Sequence, residues 1–137
     1  MQEHLAVITA VDTEGMDTIS ALKKGFKAHF KHVLTIPEHY KTVMLSRDPL
    51  FLKRTAMMDP ETVKRLPAQK HLIDTLEKGI RNKEIKALDP VLNAQIIWAS
   101  LFGILLRIIT ENITDETLID KMIDGYFTLL EQGITRS

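Results

Sequence analysis

The dipeptide Asp-Pro occurs at Asp48-Pro49, Asp59-Pro60 and Asp89-Pro90, and each time it opens a run of apolar residues at helical spacing. An aspartate before the first turn accepts a hydrogen bond from a backbone N–H that a helix leaves orphaned at its start. A proline in the next position has no N–H to orphan. Repeated starts of this kind in 137 residues leave little room for anything but helices. Pro37 opens another, and Thr114-Asp115-Glu116 reads as a cap followed by acid in the first turn. Gly79 and Gly133 are candidate C-terminal caps. These marks place helices at about 2–11, 17–34, 37–46, 49–57, 60–80, 90–112 and 115–133, with Pro67 expected to kink or split the fifth. The lone Asp124-Gly125 pair, a hairpin signal elsewhere, sits inside a helical pattern. The expected fold class is all-α, a multi-helix bundle.

Periodicity assigns the faces. Ile19, Leu22, Phe26, Phe30 and Val33 share one side of their helix at steps of three and four, and Lys24, Lys27 and Lys31 share the other. Without interleaved aromatics that lysine row reads as a solvated face rather than a phosphate-binding stripe. The last two helices are apolar over too much of their surface. Leu118, Ile119, Met122, Ile123, Tyr126, Phe127, Leu130 and Ile134 cover about half a cylinder. The 90–112 helix keeps only Asn93, Ser100 and Arg107 as a polar edge. Covering both within so short a chain is difficult, and a second copy of the same pair solves it. A homodimer with a twofold four-helix interface is expected.

Composition excludes several classes. Eighteen Lys+Arg against 18 Asp+Glu give a net charge of +0, with no global electrostatic pull toward nucleic acid. The absence of cysteine removes disulfides and thiol chemistry. The apolar run Ile96 to Leu106 is broken by Ser100, closed by Arg107 and shorter than the ~20 residues a membrane span needs. No basic-then-apolar leader opens the chain. A soluble, cytoplasmic protein without membrane contact is expected. Gly-rich phosphate loops and a Gly-x-Ser-x-Gly elbow are lacking, as is a His-Glu-x-x-His pair, so no catalytic residue, cofactor or metal is expected.

A binding pocket competes with plain core packing. Trp98, Phe102 and Leu105 share a face of the 90–112 helix, with Gln95 at its edge. A buried amide there requires a partner: a ligand, a backbone carbonyl or a water. Phe26, His29 and Phe30, with Tyr40, Met44, Met57 and the adjacent Met58, could complete an apolar, adaptable wall. His29 and His32 lie three apart, but no third ligand on a fixed element is apparent, and His29 reads as a core or pocket histidine. Ile96, Ala99, Gly103 and Leu106 lie on a different face of the same helix and suit close approach of a partner helix. With Leu118, Met122, Ile123, Tyr126, Phe127 and Leu130 they form the expected dimer interface.

The order of these segments resembles the C-terminal domain of TetR/AcrR-type transcriptional regulators. The resemblance is carried by LEKGIRNKEIKALDP (Leu76 to Pro90), by NAQIIWASLFGILL (Asn93 to Leu106) with its Trp98-Ala99 and Phe102-Gly103 pairs, and by IDKMIDGYFTLLEQGI (Ile119 to Ile134). It covers the chain from about Asp17. The resemblance implies an effector-sensing, homodimerising domain at 17–137, preceded at 1–16 by the tail of a connecting helix and a loop, with the N-terminal helix-turn-helix absent. DNA would then be bound only through that missing part. The partners implied are a second copy of the chain and a small hydrophobic effector. A ligand-free helical interaction module is the alternative.

Overall fold

The computed structural model describes residues 15–135, so the helix expected at about 2–11 lies outside the described residues. Seven helices are found among them: α1 (Thr18–Val33), α2 (Pro37–Met44), α3 (Pro49–Arg54), α4 (Pro60–Val63), α5 (Pro67–Arg81), α6 (Pro90–Thr110) and α7 (Glu116–Ile134). The protein is all-α, with a single isolated bridge between Ile85 and Thr135 among the described residues.

The helix starts follow the cap chemistry. Asp17 accepts from the Ser20 N–H at 2.8 Å, and Asp48 accepts from the N–H groups of Leu50 and Phe51. Asp59 accepts from Thr62, Asp89 from Val91 and Leu92, and Asp115 from Thr117 and Leu118. Pro67 splits the fifth expected helix into α4 and α5. The residue before a proline is pushed out of the helical region, and Leu66 sits extended at φ −77°, ψ 122°.

The helix ends correct the sequence reading. Gly79 and Gly133 lie inside α5 and α7 and cap nothing. The left-handed residues that stop helices are Lys83 (φ 59°) after α5 and Asn112 (φ 54°) after α6. Around Lys83, the Lys83 N–H bonds to the Ile80 carbonyl and the Glu84 N–H to the Gly79 carbonyl. This reversed pair of bonds satisfies carbonyls that the helix end would orphan. A side chain costs energy in the left-handed region, and only part of that cost returns through the unfolded chain. Lys83→Gly is therefore expected to stabilise the domain by up to about 1 kcal/mol, seen as a higher denaturant midpoint at unchanged slope. A lower midpoint would show that the Lys83 side chain contributes more than its backbone costs.

Gly79 serves a different purpose. A Cβ there would lie 2.5 Å from Thr18 Oγ1, so the glycine lets α5 approach the first turn of α1. The turn after α5 then brings Glu84 back to the same place, where its carboxylate accepts from the Thr18 N–H at 3.0 Å and from the Thr18 hydroxyl. The start of α1 is thus held by a carboxylate 66 residues away. Beyond that turn, the Lys86 N–H donates to the Ile134 carbonyl at 2.7 Å and ties down the end of α7.

Helix α6 is central, packing against α5, α4 and α2, while α1 packs on α5 and α7. Its full 21 residues are long and apolar enough by composition to cross a membrane, a property missed by counting only the unbroken apolar run. Here Ile97, Leu101, Leu105 and Ile108 of α6 lie in the bundle core. In the lysine row of α1, Lys24 and Lys31 are exposed as expected and Lys27 alone departs from it. Lys23 and Lys27 both reach Asp124 of α7, at 2.8 and 2.9 Å, and hold its carboxyl below the usual carboxylate range.

Two residues expected at a dimer interface belong to the core. Ile123 and Phe127 are 2 % and 1 % exposed, buried against α1, with the Phe127 ring 6.1 Å from that of Phe26. The apolar half-cylinder of α7 is divided: Ile119, Ile123, Phe127 and Ile134 face inward, Tyr126 and Leu130 are half-buried, and Leu118 and Met122 remain exposed.

Candidate functional site

A cavity of about 420 Å³ opens where α2, α3 and the start of α5 meet α6. Tyr40, Val43 and Met44 of α2 form one wall, and Phe51 and Leu52 of α3 another. Met57 and Met58 follow on the chain before α4, and Leu66 and Gln69 come from the start of α5. Trp98, Ala99 and Phe102 line the α6 side, with His29 contributed by α1. The short helices build this site because each Asp-Pro cap restarts the chain in a new direction after six or eight residues. A longer helix would have covered α6 instead of leaving a hollow beside it.

Six of the ten expected binding residues line the cavity: His29, Tyr40, Met44, Met57, Trp98 and Phe102. Their rings form a connected series, with His29 5.5 Å from Trp98 and Tyr40 6.2 Å from Phe102, centre to centre. Phe26, Phe30 and Leu105 do not line it. They close around a void of only about 10 Å³, too small for any ligand; Phe30 and Leu105 are core residues, and Phe26 also borders the cleft between α1 and α5. Gln95 also stays out of the lining. Its Nε2 donates to the Met57 carbonyl at 2.9 Å, so the backbone satisfies its amide and the bond fixes one wall of the cavity.

The electrostatics are simple. No Lys, Arg, Asp or Glu lines the cavity. Burial pushes the Tyr40 hydroxyl well above the ordinary phenol range, so it stays neutral. The polar residues among the lining are His29, His39, Tyr40, Thr55 and Gln69. Thr55 already donates its hydroxyl to the Phe51 carbonyl at 2.8 Å. Gln69 differs: it is 1 % exposed, and its Oε1 is buried with no hydrogen-bond partner. Among the described residues no group of three or more His, Asp or Glu is placed to hold a metal ion.

Two larger concavities have another character. A cleft of about 500 Å³ between α1 and α5 has a mixed lining, with Leu22, Phe26, Leu72 and Trp98 beside Asp74, Lys78 and Glu84. Of these, Asp74 pairs with Lys70 and Glu84 holds Thr18. An apolar groove of about 530 Å³ runs between α6 and α7, lined by Ala99, Gly103, Ile104, Leu118 and Met122, with Arg107 and Glu111 also on its wall. This groove contains four of the expected interface residues. Ile96 lies outside it and is 52 % exposed, while Leu106, Tyr126 and Leu130 are half-buried. Comparisons with protein-family models, curated proteins and solved structures give no match.

Sequence reasoning missed Gln69 although a signal was present. It stands three residues before Leu72 and four before Ile73, on the buried stripe of a helix whose other face carries Lys70, Asp74 and Lys78. An amide on such a stripe always raises the question of its partner. His39, Phe51, Leu52, Thr55 and Leu66 gave no comparable signal, since they meet the cavity only through the angles between short helices.

Proposed function

We propose that the chain is an effector-sensing, self-pairing regulatory domain of TetR/AcrR type that takes a neutral, hydrophobic small molecule between α2, α3, α5 and α6. The observation that carries this reading is the uncharged, aromatic- and methionine-lined cavity with an unsatisfied buried amide. Small-molecule sites are mostly apolar with a few polar anchors, and its volume falls in their ordinary range. A buried anion would find no cationic partner and would lose several kcal/mol to desolvation.

The same reading gives α1 a role. His29 near its end borders the cavity, and its first turn follows directly on residues 1–17, the side on which the family carries its connecting helix. Ligand contact at one end of a rigid helix would bias the position of the other. Such a device works only when the ligand binds one arrangement more tightly than the other. Pairing with a second copy would use the groove between α6 and α7, where Leu118 and Met122 are 41 % and 46 % exposed.

Trp98 is the chain's single tryptophan and borders both this cavity and the cleft between α1 and α5, so its fluorescence reports binding in this region. Neutral aromatic and lipid-like compounds are expected to give a saturable change that is lost in Trp98→Phe. Binding confined to dicarboxylates or phosphates would overturn the hydrophobic assignment. No binding from either class would leave the helical pairing module as the better reading.

A further inference from the structure

We propose that Gln69 is the polar anchor of the cavity and that it selects ligands carrying a hydroxyl group on an aromatic body. The proposal rests on the reading of this cavity as a binding site and names the class of molecule that fits it. Two glutamines lie on apolar helix faces beside the cavity, and they differ in one respect. Gln95 is satisfied by the Met57 carbonyl at 2.9 Å, while Gln69, 1 % exposed, keeps a buried Oε1 without a partner. An unmade hydrogen bond at a buried acceptor destabilises the empty protein, and a donor brought by a ligand removes that penalty. A hydroxyl is the small group that fits best, because it both donates and accepts and so suits a carboxamide whichever way the amide is turned. A carboxylate offers no donor to Oε1. The rest of the wall sets the body of the ligand: Trp98, Phe102, Tyr40 and Phe51 present rings, which favour an aromatic partner in tilted or offset contact.

The arrangement has a second consequence. Replacing Gln69 with an apolar residue of similar size removes the unsatisfied group, so the empty protein should become more stable while losing its selectivity. A residue kept merely for packing would not couple the two.

The test compares para-butylphenol with its methyl ether, para-butylanisole, which conserves shape but lacks the donor. Binding of each is followed by Trp98 fluorescence in the parent protein and in Gln69→Leu, alongside thermal melts without ligand. The parent is expected to bind the phenol roughly tenfold more tightly than the ether, the worth of about one hydrogen bond to a buried acceptor. In Gln69→Leu the ratio is expected to fall to about one, through weaker phenol binding, while the melting temperature rises. Gln69→Met repeats the comparison should the leucine variant fold poorly. Equal binding of both compounds by the parent, or a preference for the phenol that survives in the variants, overturns the anchor while leaving the cavity a binding site. Failure of both compounds to bind the parent overturns the site itself, and the anchor with it.

Discussion

Phe127→Ala is expected to lower the stability of the domain by about 3–5 kcal/mol, the cost of removing a fully buried aromatic ring and leaving a cavity. The side chain is 1 % exposed and touches Phe26 of α1, whose ring in turn lies 5.4 Å from Trp98. It is the contact through which α7 joins the aromatic interior. Against a total of about 5–15 kcal/mol for an ordinary domain, such a loss should lower the melting temperature by roughly 10–20 °C. Because the residue lies within one chain, the drop should appear at every protein concentration. An alanine variant that melts like the parent and differs only in oligomeric state would move Phe127 back to a subunit interface.

Gly103→Glu is expected to have the opposite profile. Gly103 is exposed in the middle of α6, and a Cβ built there meets nothing within 4 Å, so a side chain fits without strain in the single chain. Glycine is among the poorest helix formers, and its replacement by glutamate gains close to 1 kcal/mol of helix propensity. The isolated domain should therefore keep its circular dichroism and lose no stability of its own. The proposed pairing should be abolished, because the carboxylate enters an apolar groove that a second copy would cover, and an unpaired buried charge is costly. An obligate interface of this kind buries on the order of 2,000 Å² or more, so the parent is expected to sediment as a dimer at micromolar concentration. A monomeric parent, or a dimeric Gly103→Glu, would rule out this face as the pairing surface.

The contrast between these two residues shows what periodicity could resolve. Both stand on helices whose apolar surface is too wide for a single stripe, and that excess was legible in the sequence. Which apolar residues face inward was not, because a half-cylinder contains two candidate faces and spacing cannot rank them. The cavity was legible in the same partial way. The clustering of Tyr40, Met44, Met57, Trp98 and Phe102 was readable as bulky, adaptable side chains near one another in the fold. Phe30 and Leu105 carry the same signal and pack solidly. Residue type tells that a wall is apolar, and only the placement of the opposing wall tells whether space remains.

Gly79 makes the point for the backbone. Near a helix end, a glycine suggests a left-handed cap. This one is required by the first turn of α1 pressing on α5, while the left-handed position went to Lys83, where nothing in the sequence suggested it. Helix starts behaved differently, since every Asp-capped start among the described residues lies within one residue of its expected place. A cap closes between residues two or three apart, and a proline lacks its N–H in any environment, so these elements were determined by the sequence alone. The partners of Thr18 and Gln95 lie 66 and 38 residues away, and the missing partner of Gln69 is equally a matter of what the fold brings near. Local hydrogen bonds fixed where the helices begin, whereas burial, cavity and unsatisfied amide depend on contacts that exist only once the helices are packed.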